Sequence, residues 1–253
     1  MNGFVGHRRP IPLASTDQAD QWRVGPRGFS LVELTVVLLV LGLVLAGIIG
    51  PLSAQQEARR VADSRILLEA ANEALLGYAM QHGGLPCPAP GSLATGSNGA
   101  GLSPANCIFG PGQVAVGVLP WATLGLPEKD AWGHRITYAL SSQLNAQLSN
   151  VPQFTLSSSG AINIYNRLPQ SNSNRQALGV PFVLVSHGKL GLGAFDSTGN
   201  QIATGTDARV IENSDVDNAF VSQSTADDNF DHIVRWTPMA TLIAKMVQSG
   251  KLP

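Results

Sequence analysis

Residues 29–49, FSLVELTVVLLVLGLVLAGII, form an apolar run long enough to cross a bilayer as a helix. One carboxylate, Glu33, interrupts it near its start. An acid at the centre of a membrane helix costs about 2.5–3.5 kcal/mol on insertion scales, so the residue demands a counter-charge or a function. Up to Gly28 the chain carries four arginines (Arg8, Arg9, Arg23, Arg27) against Asp17 and Asp20, and the remainder is net acidic by three charges. Basic residues just before the run predict a cytoplasmic N-terminus and an exported C-terminal body.

Three readings compete for residues 1–52. A secretory signal peptide has an apolar core of about 7–15 residues and a small-residue cleavage site. This run is longer, and Leu52-Ser53-Ala54 is a poor site. The Arg8-Arg9 pair lies too far upstream of the run for a twin-arginine signal. A plain membrane anchor accounts for the length and the charge bias, but leaves Glu33 unexplained.

Gly28-Phe29-Ser30-Leu31-Val32-Glu33-Leu34 and the apolar residues behind it resemble the processing site of type IV pilins and of the pseudopilins of type II secretion systems. The resemblance implies that a membrane prepilin peptidase removes residues 1–28 as a cytoplasmic leader, cutting between Gly28 and Phe29. It also implies that the new N-terminus is methylated at Phe29 and that the anchor is retained. Cleavage would create a positive α-amino group at Phe29. Residues four apart share a helix face, so Glu33 would pair with its own amine in the free subunit and with a neighbour's in a filament. Losing one partner of a buried pair costs about 3–5 kcal/mol, so an unpaired Glu33 would favour joining a filament in register.

Pro51 predicts a kink or a local opening of hydrogen bonds. Gly42, Gly47 and Gly50 suit either close helix contacts or an ordinary membrane helix. Beyond Pro51 the helical period continues to His82, with Ala54, Ala58, Val61, Arg65, Leu68 and Leu75 on a mostly apolar face. Glu57, Arg60, Asp63, Asn72 and Glu73 form the polar face. Gly83-Gly84 before Pro86 ends the helix. The expected organisation is therefore a transmembrane and assembly half at 29–52, an amphipathic half at 53–82 and a periplasmic head at 83–253. A helix from 29 to 82 would measure about 80 Å.

In the head, residues 85–112 read as a long irregular loop that holds both cysteines, Cys87 and Cys107. In a reducing compartment these are packed thiols; in an exported domain a disulfide is expected, worth roughly 3 kcal/mol. Strands are expected at 135–140, 154–157, 161–165, 181–186 and 232–236, followed by a short amphipathic closing helix. The fold class is α+β and pilin-like, with the long helix packed on an antiparallel sheet. Asp130-Ala131-Trp132-Gly133 followed by Tyr138 resembles a turn and strand in the head of the major pseudopilins, where it reads as a tight turn with two core aromatics. In several of those heads an acidic loop binds calcium. Here Asp215, Asp217, Asp227, Asp228 and Asp231, near Glu212, offer hard oxygen ligands, although His232 stands where relatives often have a second acid. A merely solvated acidic loop is the other reading, and no cofactor besides calcium is suggested.

The sequence offers no catalytic constellation. His82, His134, His187 and His232 are dispersed, without His-Glu-x-x-His or Cys-x-x-Cys spacing. Ser186-His187-Gly188 lacks a nucleophile elbow, and the glycines around Lys189 lack phosphate-loop order. No basic stripe with exposed aromatics points to nucleic acid. The resemblance implies a structural subunit of the inner membrane of a Gram-negative bacterium, spanning it once. Its partners would be the prepilin peptidase, other pilin or pseudopilin subunits and the inner-membrane assembly platform. The alternative is a membrane-anchored periplasmic ligand- or metal-binding protein that forms no filament.

Overall fold

The computed structural model describes residues 28–144 and 155–252, with backbone alone at 46–52 and 143. The expected leader, residues 1–27, lies outside the described residues. Helix α1 runs over Leu31–His82, including Pro51. The chain divides into two compact units, Met1–Leu52 and Ser53–Pro253. In the first, every described side chain of residues 31–45 is exposed.

The second unit is α+β. Strands β1 (Val114–Val118), β2 (Thr137–Ser141), β5 (Phe182–Ser186) and β7 (Ile233–Trp236) form an antiparallel sheet in the order β1-β2-β5-β7. Strands β3 (Ile162–Tyr165), β4 (Arg175–Val180) and β6 (Ala219–Val221) form a second sheet in the order β4-β3-β6. Its β3–β6 pair is parallel. Short helices α2 (Trp121–Leu124) and α3 (Ala208–Glu212) and the closing helix α4 (Met239–Gln248) complete the unit.

The alternation of side chains along a strand sorts residues into two cores. On one face of the four-stranded sheet, Tyr138, Leu140, Phe182 and Leu184 pack with Leu68, Leu75 and Leu76 of α1 and with Leu242 and Met246 of α4. On the other face, Ala139, Val183 and Val185 meet Ile162, Ile164 and Phe220 of the second sheet. Both faces of β2 and β5 are covered, which is why every residue of these strands is buried.

Several expectations shift. The segment expected as a strand at 154–157 is a turn in its described part. The strands β1, β4 and β6 were not foreseen; β1 follows a glycine-rich loop, and β6 is only three residues long. The buried face of α1 is Ser64, Leu68, Ala71, Asn72, Leu75, Leu76 and Ala79, while Ala54, Ala58 and Arg65 are exposed. Alanines bury little area, so the leucines orient the helix. Asn72, expected in water, lies between them and accepts a hydrogen bond from the Thr237 hydroxyl.

Arg135 is fully buried. Its Nε donates to Glu128 at 2.9 Å, and one terminal nitrogen donates to the carbonyls of Gly91 and Leu93, both at 2.8 Å. The other terminal nitrogen reaches the Thr95 hydroxyl and the Ser197 carbonyl, and the guanidinium lies 4.8 Å from the centre of the Trp121 ring. This cation holds the irregular loop from inside. Cys87 and Cys107 close the same loop with a disulfide. Arg135→Leu should lower stability by about 3–5 kcal/mol, measured by urea unfolding, because Glu128 and two carbonyls lose their buried donor.

Candidate functional site

The start of α1 is built by local chemistry. The Ser30 hydroxyl accepts the Glu33 backbone N–H at 3.1 Å, and its carbonyl accepts the Leu34 N–H at 3.1 Å. Ser30 is thus the N-cap, and Glu33 falls in the first turn, where negative charge favours the helix dipole. The sequence carried this signal as a hydroxyl residue three places before a glutamate, the capping-box spacing. Gly28 stands in open space: a Cβ there would meet nothing within 4 Å. Nothing among the described residues requires glycine at that position. Phe29 is 78% exposed and Leu31 81%. Among the described residues no helix is long and apolar enough to cross a membrane. The described side chains of the apolar run end at Leu45, and the rest of the expected 29–52 segment lies outside them.

In the second unit, the Asp130–Gly133 turn joins α1 to the sheet. Asp130 accepts the backbone N–H groups of Trp132 and His134, each at 3.0 Å, and the Ser186 hydroxyl at 2.6 Å. The turn in turn donates to α1: the Trp132 indole to Glu57 at 3.0 Å, and the Ala131 N–H to the Ser64 hydroxyl at 3.2 Å. Of the two aromatics expected in the core, Tyr138 is there, with its hydroxyl donating to the Pro86 carbonyl. Trp132 is half-buried against α1 instead.

Two of the histidines scattered in sequence converge in space, while His82 stacks on Tyr78 at the end of α1. His187 and His232 are buried, with ring centres 4.5 Å apart. Thr137 and the Leu192 carbonyl bond opposite nitrogens of His187, at 2.8 Å each. Asn213 lies 3.3 Å from His232 Nδ1 and clamps both the N–H and the carbonyl of Val221. Burial first, then His232, holds the His187 pKa well below the usual imidazole value. Burial lowers His232 to about 4.

The acidic residues do not form one group. Asp227 pairs with Arg209, whose hydrogen bonds lower its pKa to about 2. Asp231 accepts the Leu190 N–H, and Gly188, with φ of +62°, leaves no room for a Cβ beside the Asp231 carboxyl. Asp217 accepts the Ala219 N–H, and Asp228 lines a separate shallow cleft with Asp207. Glu212 is raised to about 7 by burial, then by Asp217 and Asp215; Asp215 is raised to about 6 by burial and Asp217. Among the described residues no group of three or more His, Cys, Asp or Glu is arranged to hold a metal ion.

Residues 25–49 match the family model of the prokaryotic N-terminal methylation motif. The chain therefore carries the prepilin-type signature of type IV pilins and pseudopilins, on an α+β fold with a long N-terminal helix. No curated protein and no solved structure matches the chain.

The buried histidines make stability depend on pH. His232 has a folded pKa below its unfolded one, so the unfolded chain takes up the proton first. Its contribution is complete above pH 6.5 and is lost as pH falls toward about 4. From pH 7 to pH 5 this removes about 2 kcal/mol. Glu212 and Asp215, with raised pKa values, act in the opposite sense and add stability as pH falls through about 7 and about 6. Urea unfolding of His232→Gln beside the parent isolates the histidine: the parent should lose more stability than the variant over this interval.

Proposed function

We propose that this chain is a structural pilin-like subunit, processed by a prepilin peptidase and assembled through the start of α1 into a type II secretion pseudopilus or a type IV pilus. The observation that carries the reading is the match of residues 25–49 to the methylation motif, together with a serine-capped start of α1 whose side chains at 31–45 are all exposed. So much uncovered apolar surface needs a lipid or protein environment outside the chain. Gly28 adds to this: packing does not need a glycine there, which fits a residue kept for the cleavage that the resemblance to prepilins implies.

Cleavage after Gly28 would leave Ser30 and its cap intact and place an ammonium, methylated in the mature form, at Phe29. Glu33, four residues on, is the acid that such an ammonium would meet, first in its own chain and then across a subunit boundary. The leader remains on the cytoplasmic side and the head is exported, in keeping with the arginines before the motif. In that oxidising setting the Cys87–Cys107 disulfide persists.

The alternative, an anchored binding protein that never assembles, makes a different demand on Glu33. An anchor tolerates Glu33→Leu. A subunit carrying that substitution should still be cleaved and inserted, yet fall at least ten-fold in incorporation, read by co-sedimentation with sheared filaments. Mass spectrometry of the membrane form should find methylated Phe29 as its first residue. A chain still beginning at Met1, or normal incorporation of the variant, overturns the proposal.

A further inference from the structure

We infer that the Asp130–Gly133 turn is a releasable clasp on α1, which lets the helix lift from the head as far as Ser64 while the rest stays locked. From Leu68 onward α1 is bound by its core leucines. Before Ser64 no described residue of the helix in this unit is buried, and only Glu57 and Val61 are half-covered. Among the described residues, two hydrogen bonds tie 54–64 to the head: the Trp132 indole to Glu57 and the Ala131 N–H to Ser64.

The space beside these bonds is not filled. A cleft of about 310 Å³ opens by Val61 and Arg65, between the helix and the segment that includes Gln223 and Ile233. A second, of about 360 Å³, lies by Ala54 and Arg60 and reaches Lys189. Apolar packing therefore contributes little to holding these turns, and the polar clasp decides their attachment. The clasp itself is stiff, because Asp130 fixes the turn through three hydrogen bonds, one of them to Ser186 at the end of β5. A rigid arm holding an under-packed helix at two points releases as a unit when its bonds break. The inference rests on this geometry alone and stands whether or not the chain assembles.

Hydrogen exchange on the full-length chain in detergent tests it. Trp132→Phe keeps an aromatic ring and removes the N–H, and Glu57→Ala removes the acceptor from an accessible helix position where alanine cannot disturb the core. Either should speed amide exchange across 54–63 roughly ten-fold and leave 68–79 unchanged. Glu57→Gln, which keeps an accepting oxygen, should preserve the protection. Unchanged exchange at 54–63 in both loss variants, or an equal rise at 68–79, overturns the clasp.

Discussion

A guanidinium without water must find all its partners in the protein, and Arg135 does so at the centre of the head. Glu128 balances its charge, and carbonyls of a strandless loop take its remaining donors. Those carbonyls belong to residues that would otherwise need secondary structure or solvent to satisfy them. The arginine thus substitutes for a sheet edge: it lets a proline- and glycine-rich segment lie against β1 and the 195–197 turn without strands of its own. The disulfide closes that segment covalently, and the cation sets its path.

In the turn just before Arg135, the chain changes task. Ala131 and Trp132 reach to α1, so the turn that leads into Arg135 and β2 also fastens the helix. The head is consequently firm in its two cores and lightly held at one margin. The first unit shows a complementary economy: a serine cap and a first-turn glutamate start a helix whose side chains at 31–45 are all exposed.

Much of this was legible beforehand where local chemistry is sufficient. The end of α1 at His82 follows from Gly83, whose φ of +82° suits glycine, and the closing helix follows from its own period. Strands β2, β3, β5 and β7 lie within a residue or two of the expected segments because they are apolar and β-branched. Strands β1 and β6 are not legible because their residues become strands by pairing with remote partners, and β4 because its pairing with β3 carries register shifts that break a regular alternation. On α1 the expected Leu68 and Leu75 are buried, but the alanine-rich turns before them fit either side, and Asn72 enters the core where Thr237, 165 residues away, offers a bond.

The order of residues alone established the methylation motif, the apolar start of α1, its end at His82, the closing helix and the α+β class, because each is carried by residues a few positions apart, whereas the short α2 and α3 are not legible there. Tertiary structure decided that Arg135 is a buried hub, that His187 meets His232, that the acids separate into different groups, and that Trp132 grips Glu57. Each of those outcomes is set by burial and by partners from remote segments, and desolvation energies of that kind have no signature in local spacing.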